Sequence, residues 1–470
     1  MRIRLALVAA AALAAVLLGA PDALAHGIVG REDLPIPRWL FGWAATAVLV
    51  ISFVALAVLW PQARLEHVTE KRRFGVPRAV LEPLAGVIGV ALFVLVVWAG
   101  LDGAQSQTAN IAPTFVFVLF WVGVPVLSLL LGDVFKPFNP WRAIGRGFGW
   151  LAKRVGGDAL PEPLDYPEKL GRWPAAVGLL AFAAYELAYA TPQDPSTLAV
   201  AALVYAAVQL VGMSLYGVEP WERNGDGLGV YMGLFGAISP LHWRDGAVYT
   251  RPVLSRLTEL RPIPGTVALL AVAIGSTTFD GTRENTFWTD IALDIQNVLE
   301  DVGLTGTQGL EVAYFLGLML TILLAGGLFM LGVQGMRTVD RRYPAQDLAR
   351  RFAHSLIPIA FAYVLAHYFS LLAYQGQAAA FLASDPLGRG WDLFGTAAST
   401  IDYTVVSANG IWYVQVGALV LGHVAGLVLA HDRALAMFEN AKTATRSQYW
   451  MLAVMVAFTS LGLWLLSAAN

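Results

Sequence analysis

Apolar runs of roughly 20 residues recur along the chain, separated by short polar connections, and each is long enough to cross a bilayer as a helix. After a first, shorter run, ten of them fall at about 37–60, 80–101, 111–134, 172–191, 196–217, 263–279, 309–336, 352–376, 411–431 and 448–467. The pattern predicts an all-α, polytopic integral membrane bundle of about ten transmembrane helices. We expect residues 26–470 to form a single transmembrane domain.

The first run, residues 1–25, has the features of a cleaved signal peptide. Arg2 and Arg4 precede a short apolar stretch that ends in the small-residue triplet Ala23-Leu24-Ala25. Cleavage after Ala25 would make His26 the mature N-terminus. An uncleaved membrane anchor is the alternative, and the shortness of the run favours cleavage. A terminal histidine offers an amine and an imidazole to one metal ion, so His26 is a candidate metal ligand.

The charges of the connecting segments predict an orientation. Lysine and arginine are concentrated in alternate connections, near residues 64–78, 136–154, 223–261, 337–351 and 433–446. The positive-inside rule places these segments in the cytoplasm. The chain would then be integral to the plasma membrane, with both the mature N-terminus and the C-terminus outside the cytoplasm.

Some connections have a character of their own. Residues 136–155 mix aromatic side chains with cations, which is typical of an amphipathic helix lying on the inner membrane face; a plain basic linker is the alternative. Residues 225–243 are apolar but too short to span, as in a re-entrant or interfacial segment. The segments 280–308 and 377–410 are predicted to be extracytoplasmic loops.

Composition supports the membrane class and excludes several chemistries. The chain is 57% hydrophobic and 14% charged, against roughly 25% charged residues in soluble domains. It contains no cysteine, which excludes disulfides, thiolate nucleophiles and cysteine-held metal clusters. Its net charge of -2 gives no support to nucleic-acid binding. The expected partners are the lipid bilayer and a hydrophobic small molecule or a metal ion.

Ionisable side chains inside apolar spans are candidates for function, because they are costly in lipid and tend to face the bundle interior. Glu186 lies in the fourth span, His367 in the eighth and His423 in the ninth. Tyr363, His367, Ser370 and Tyr374 follow one another at steps of four, three and four residues, so they share one helix face.

The predicted topology places most of these groups in the outer half of the membrane. Asp280, at the outer end of the sixth span, and Asp402, just before the ninth, would lie near the same level as Glu186 and His367. Together with His423 and His26 they could converge on one outward-opening cavity. Two imidazoles and several carboxylates suit a divalent metal such as zinc, iron, manganese or copper. The alternative is that each polar group only bonds a neighbouring helix.

Haem is a less favoured cofactor. His354 and His367 lie roughly 20 Å apart along one helix, whereas His423 and His431 lie only about 12 Å apart on the other. The two spacings do not match a pair of stacked haems. A single haem between His367 and His423 remains an open alternative, and the chain would then be a membrane redox subunit.

Four segments carry a resemblance to a known group. HGIVGREDLPIPRWLFGWAA, GDVFKPFNPWRA, STTFDGTREN and HSLIPIAFAYVLAHYFSLL resemble polytopic actinobacterial membrane proteins labelled fenitrothion hydrolase, after a membrane-bound organophosphate hydrolase. The resemblance covers most of the mature chain. It implies hydrolysis of a phosphotriester, assisted by a metal ion, and implies no particular catalytic residue.

Roles in such a reaction can be assigned to the candidate residues named above. His367, His423, His26 and Asp402 are the candidate metal ligands. Glu186 or Asp280 would be a further ligand or the general base, and Tyr363 or Tyr374 would hydrogen-bond the developing oxyanion. A transporter or uptake protein for a copper-like metal ion or a small solute is the main alternative from another class.

Overall fold

The computed structural model describes residues 38–66, 68–156 and 162–468, so the predicted signal peptide and His26 lie outside the described residues. The chain is an all-α polytopic membrane protein. Six helices among the described residues are long and apolar enough to cross a membrane, and shorter apolar helices accompany them. Each of the ten predicted spans overlaps a helix.

The helices are named in chain order. They are α1 (Arg38–Leu59), α2 (Arg78–Asp102), α3 (Ile111–Leu131), α4 (Pro140–Gly156), α5 (Trp173–Leu187), α6 (Pro195–Tyr216), α7 (Val218–Asn224), α8 (Gly227–Gly236), α9 (Thr266–Asp280), α10 (Thr286–Asp301), α11 (Gly306–Val339), α12 (Ala345–Gln375), α13 (Ala378–Ser384), α14 (Ala408–Met437), α15 (Ala441–Ser447) and α16 (Tyr449–Ala468). Helix α3 is π-helical over Thr114–Gly123, and α12 contains a 3₁₀ turn at Ala353–Leu356. Short helical turns also occur at Phe135–Phe138 and Ser255–Glu259.

Several helices begin where the sequence supplies a cap. The Asp194 carboxylate accepts from the Thr197 amide at 3.0 Å, and Pro195 occupies the first turn of α6. Ser407 caps α14 in the same way, with its hydroxyl accepting from the Gly410 amide at 3.1 Å. These side chains satisfy amide groups that have no partner within the helix.

Helix α9 is the centre of the bundle. Most of its side chains are buried, and it packs against α5, α11 and α12. The helices around it leave large apolar side chains uncovered, for example Val87 on α2, Val204 on α6 and Leu323 on α11, each more than half exposed. Apolar faces of this kind are rare on soluble monomers, and they form the surface that contacts lipid.

A small antiparallel sheet lies among the basic connections. Strands β1 (Lys71–Gly75), β2 (Leu241–Arg244) and β3 (Ala247–Thr250) pair in the order β1-β3-β2. Thr250 lies opposite Lys71 on one side and opposite Leu241 on the other. The hydropathy pattern gave no sign of this sheet, because its strands are short and β1 is exposed along its whole length.

The predicted connections contain more helix than expected. Helix α10 occupies most of 280–308 and is capped by Asn285, whose side chain accepts from the Phe287 amide at 3.0 Å. The segment 377–410 contains only the short helix α13 before α14 begins. Helix α4 covers most of 136–155, and its contact with a membrane surface stays a prediction. Helix α8, within 225–243, is buried against α3 and α5.

Candidate functional site

A cavity of about 620 Å³ lies at the end of the bundle opposite the basic connections. Its walls are formed by α3, α5, α9, α12, α13 and α14. Connecting residues such as Gln107, Gln193 and Tyr403 line it at that end, and Gln415 and Leu419 line it deeper along α14. The larger part of the lining surface is apolar, and the charged side chains of the described lining are Glu186, Asp280, Arg283 and Glu284. We call this space the outer cavity.

Part of the outer cavity wall is π-helical. Pro113, Thr114, Phe117 and Val118 line the cavity, and the last three of them belong to the π-helical part of α3. A π-helix is rare, and where it occurs within an α-helix it is frequently found at a functional site.

Asp280 has three side-chain partners at the cavity wall. Its Oδ2 atom accepts from the Tyr368 hydroxyl at 2.7 Å and lies 2.9 Å from His367 Nε2. Its Oδ1 atom lies 3.1 Å from Arg283 Nε. Asp280 ends α9 and Arg283 follows three residues later, so the turn after α9 brings the ion pair together. Three donors therefore fix the carboxylate in one position.

His367 is oriented by this carboxylate. Because Asp280 accepts at Nε2, the Nε2 atom carries the proton in the neutral imidazole, and the lone pair is on Nδ1. The His367 side chain is 30% exposed and lines the cavity. The Tyr368 ring packs edge-on against the imidazole, with 4.6 Å between ring centroids. The arrangement is an imidazole held by a carboxylate, with its second nitrogen able to take a proton.

Glu186 enters the cavity from the last turn of α5. Among the described residues, no hydrogen-bond or ion-pair partner lies within reach of its carboxylate, although Asp280 and Arg283 lie near enough to influence its charge. An ionisable side chain without a partner is unusual within a membrane-spanning helix.

Arg283 supplies the positive charge of the cavity. Burial by itself would lower the pKa of Arg283, but the carboxylates of Asp280 and Glu284 raise that pKa above its ordinary value. Its guanidinium also donates from Nη1 to the Leu187 carbonyl at 3.3 Å, at the end of α5. The guanidinium therefore stays charged, and it joins the end of α5 to the end of α9.

Tyr363 and Tyr374 line the cavity, but their hydroxyls are engaged elsewhere. The Tyr363 hydroxyl donates to the Phe458 carbonyl at 3.0 Å, and the Tyr374 hydroxyl donates to the Val406 carbonyl at 2.8 Å. In this arrangement neither proton is available to an oxyanion. The oxyanion role expected for them from the sequence would require them to leave these bonds.

His423 does not join His367, and the predicted convergence does not hold for it. His423 lies one turn deeper on α14 than Leu419 and lines a separate, smaller cavity. Tyr363 stands beside it, with 6.0 Å between ring centroids. Helices α12 and α14 also approach too closely for a haem between His367 and His423: a Cβ on Gly422 would lie 2.2 Å from Ala362 Cβ.

Asp402 does not line the outer cavity either, although its neighbours Ile401 and Tyr403 do. It is exposed, and its carboxylate accepts from the Thr404 amide at 2.7 Å and the Thr404 hydroxyl at 2.6 Å. These hydrogen bonds lower the pKa of Asp402. The side chain therefore stabilises a surface turn instead of contributing to the cavity.

The described residues do not fit a bound metal ion in the outer cavity. Among residues 38–66, 68–156 and 162–468, no group of three or more histidine and carboxylate side chains is arranged to hold one. His367 Nε2 and Asp280 Oδ2 are hydrogen-bonded to each other, and Oδ2 also accepts from the Tyr368 hydroxyl. Asp280 Oδ1 forms the ion pair with Arg283. His26, the remaining predicted ligand, lies outside the described residues.

No family model, no curated protein and no solved structure matches the chain. The assignment of function therefore depends on the outer cavity itself. Two of its residues were missed by the sequence analysis, Arg283 and Tyr368. Arg283 could have been found from its position three residues after Asp280, which is the spacing of helical neighbours. Tyr368 does not lie on the α12 face that Tyr363, His367, Ser370 and Tyr374 share, so its position in the sequence did not indicate a role in the site.

Proposed function

We propose that this chain is a membrane-embedded hydrolase of uncharged, apolar esters, and that aryl phosphotriesters are the first substrate class to test. The observation that carries the proposal is the Asp280–His367 pair, with 2.9 Å between Oδ2 and Nε2, on the wall of a cavity of about 620 Å³. The resemblance of four sequence segments to proteins labelled fenitrothion hydrolase points to the same class.

The pair is suited to general-base catalysis. A water molecule beside His367 would lose a proton to Nδ1 while its oxygen attacks phosphorus, and the phosphorus–oxygen bond to the aryl group would break. The aryl oxide leaves with the electron pair of that bond. Asp280 keeps the imidazole in one tautomer and stabilises the imidazolium that forms. Arg283 is the cation nearest to this pair and can stabilise negative charge on the phosphoryl oxygens.

The lining favours an uncharged substrate. Among the described residues that line the cavity, Glu186, Asp280 and Glu284 carry three carboxyl groups, whereas Arg283 is the single guanidinium. Such a cavity repels phosphate mono- and diesters, which are anions, and accepts an apolar triester that has partitioned into the bilayer. The same repulsion would help the anionic diester product to leave.

We place the protein in the plasma membrane, with its basic connections in the cytoplasm and the outer cavity open to the opposite side. The concentration of lysine and arginine in alternate connections supports this orientation. Removal of residues 1–25 by a signal peptidase belongs to the same proposal. Substrate would then reach the cavity from outside the cell or from the outer leaflet.

A bound metal is not needed in this mechanism. The described residues do not fit a metal in the outer cavity, and no step above depends on one. Metal-assisted hydrolysis remains the expectation that the resemblance implies, and it would require ligands beyond the described residues, with His26 as the candidate. Metal analysis of the mature protein, with and without His26→Ala, tests that expectation.

The decisive experiment measures hydrolysis of a nitrophenyl phosphotriester by the purified full chain in detergent. We expect His367→Gln to lower kcat/KM by about 10²–10⁴-fold, which is the usual contribution of a general base. Asp280→Asn should lower kcat and shift the acidic limb of the pH–rate profile. The matched control is His242→Gln, because His242 lies on β2 among the basic connections.

Thermal unfolding of each variant distinguishes a loss of catalysis from a loss of folding. A folded His367→Gln protein that retains the full rate would refute the assignment. An equal loss of activity in the His242→Gln control would also refute it, since the His242 side chain is far from the outer cavity. Absence of triester turnover by the unmodified chain would remove the hydrolase proposal altogether.

Transport is the second candidate, and Glu186 is the observation that favours it. A carboxyl group without a described partner, facing a cavity within the bundle, is a common feature of proton and cation pathways. The expected cargo would be a metal ion or a small solute. Uptake into proteoliposomes that depends on Glu186, without ester hydrolysis, would favour this candidate over the hydrolase.

A further inference from the structure

The second half of α4 is not covered by any part of the chain that the structure describes. Residues 147–155 are all exposed, whereas Arg142 in the first turn is buried. Phe148, Leu151 and Val155 are between 49% and 81% exposed, although their side chains are apolar. We call residues 147–155 the exposed half of α4. A short helix surrounded by water is only marginally stable, so we expect the exposed half to be stabilised by a surface that it contacts.

The first half of α4 is fixed beside the ends of two membrane-spanning helices. Glu82, one turn after the start of α2, accepts from the guanidinium groups of Arg142 and Arg146 at 2.7 and 2.5 Å. A Cβ on Gly145 would lie 3.3 Å from the sulfur of Met213, which belongs to the last turn of α6. Both α2 and α6 are long and apolar enough to cross a membrane. Helix α4 therefore lies at the membrane boundary, on the side of the basic connections.

One face of α4 is apolar along most of the helix. Large apolar side chains recur there at steps of four, three and four residues, which places them on one face: Ile144, Phe148, Leu151 and Val155. The two cations of the exposed half, Lys153 and Arg154, lie outside that face. A basic amphipathic helix of this kind lies in the plane of a membrane interface, with its apolar face towards the acyl chains.

Lys153 and Arg154 are available to an anionic partner. Neither side chain pairs with a carboxylate among the described residues, whereas Arg142 and Arg146 are both paired. The Arg154 guanidinium lies 5.3 Å from the centroid of the exposed Trp150 ring. Tryptophan is enriched at the level of the lipid headgroups, and a guanidinium group matches the geometry of phosphate. The end of α4 thus combines an interfacial aromatic ring with two cations.

We propose that the exposed half of α4 is a binding site for anionic phospholipid, in the leaflet on the side of the basic connections. Phe148, Leu151 and Val155 enter the boundary of the acyl chains. Lys153 and Arg154 bind the lipid phosphate groups, because anionic headgroups attract basic residues that lie next to membrane-spanning helices. The position of α4 favours the same partner, since its first half already fixes it at the membrane boundary. The inference goes beyond the hydrolase proposal and does not depend on it.

The test is quenching of a small fluorophore by brominated lipids, with the full chain reconstituted in phosphatidylcholine bilayers. The chain has no cysteine, so a label at Leu151→Cys reports the apolar face alone, and a label at Gly149→Cys reports nearly the opposite face. Brominated phosphatidylglycerol or brominated phosphatidylcholine is added in equal amounts. We expect strong quenching at Leu151→Cys and weak quenching at Gly149→Cys. Phosphatidylglycerol should be enriched about fivefold or more beside Leu151→Cys, which is the effect of one basic residue near an anionic surface.

The matched control removes the same number of charges elsewhere on the same side. Lys153→Gln combined with Arg154→Gln should bring the enrichment close to one, whereas Lys71→Gln combined with Arg72→Gln, on the exposed strand β1, should keep it. The proposal is overturned if neither lipid quenches the Leu151→Cys label, a result that would favour a protein partner. It is also overturned if the two lipids quench that label equally, or if both double variants lose the enrichment to the same extent.

Discussion

The Tyr205 hydroxyl lies in a buried hydrogen-bond network where its removal should have a large effect. Asp226, which is fully buried before α8, accepts from the Tyr205 hydroxyl at 2.9 Å and from the side chains of Asn139 and Trp141 at 2.8 and 2.6 Å. The Tyr205 oxygen in turn accepts from the Leu228 amide at 2.9 Å. One hydroxyl thus connects α6 with the first turn of α8.

The magnitude follows from these two bonds. Tyr205→Phe removes a hydrogen bond to a charged group, worth about 1.5–3 kcal/mol, and leaves the Leu228 amide without its acceptor, at a cost of about 1–3 kcal/mol. We therefore expect the free energy of unfolding to fall by about 2.5–6 kcal/mol. Tyr231→Phe is the matched control, because Tyr231 is also buried but its hydroxyl has no hydrogen-bond partner among the described residues. Its removal should be neutral or slightly stabilising.

The assay is unfolding of the detergent-solubilised protein followed by tryptophan fluorescence, since the chain has 15 tryptophans and no cysteine for thiol-reactive dyes. Titration with a denaturing detergent gives the free energies of the two variants relative to the unmodified chain. Equal stabilities of Tyr205→Phe and Tyr231→Phe would refute the reasoning. A loss in Tyr205→Phe below about 0.5 kcal/mol would do the same, because it lies under the lower limit for one neutral hydrogen bond.

Two further predictions concern the basic connections and the core. Burial lowers the pKa of His242 below 6.5, and the pKa of Glu70 is also lowered, since the hydrogen bond from His242 and the nearby guanidinium groups outweigh the effect of burial. Each lowered pKa stabilises the folded chain at a pH above the group's ordinary pKa, and this stabilisation is lost on acidification. Unfolding followed from pH 7.5 to pH 4 should therefore show the free energy of unfolding falling below pH 6.5 and again below pH 4.5. A flat profile would contradict this. Gly275→Ala should destabilise by about 1–3 kcal/mol, because its Cβ would lie 2.5 Å from Ile322 Cα, whereas Gly327→Ala, with open space around it, should be neutral or slightly stabilising in the same unfolding assay.

The helices that overlap the ten predicted spans were predictable because a bilayer requires long apolar runs, and such runs are visible in the sequence without knowledge of packing. Helix ends were less accurate. The fourth span was predicted to reach residue 191, whereas α5 ends at Leu187. Helix α10 was missed because its acidic residues dominate the segment, although its apolar residues pack on α11. Hydropathy identifies spans well and amphipathic surface helices poorly.

The outer cavity was predictable as far as it depends on single helices. Tyr363, His367, Ser370 and Tyr374 were placed on one face of α12 by their spacing, and all four line the cavity. The environment of His423 was not predictable in this way. It depends on the close approach of α14 to α12 at Gly422 and on the methionines of α16, which are contacts between distant parts of the chain.

The number of internal partners separates structural polar groups from those able to bind a ligand. Asp226 accepts from three side chains, so it has no need of a ligand and connects elements of the fold. Asp280 is equally satisfied, and for that reason it can hold His367 in place but is poorly suited to bind metal or substrate itself. The Glu186 carboxylate and His423 Nε2 lack such partners among the described residues. Leaving a buried polar group unpaired costs free energy, and a bound ligand recovers that cost, so the Glu186 carboxylate, which lines the outer cavity, is where binding is best sought.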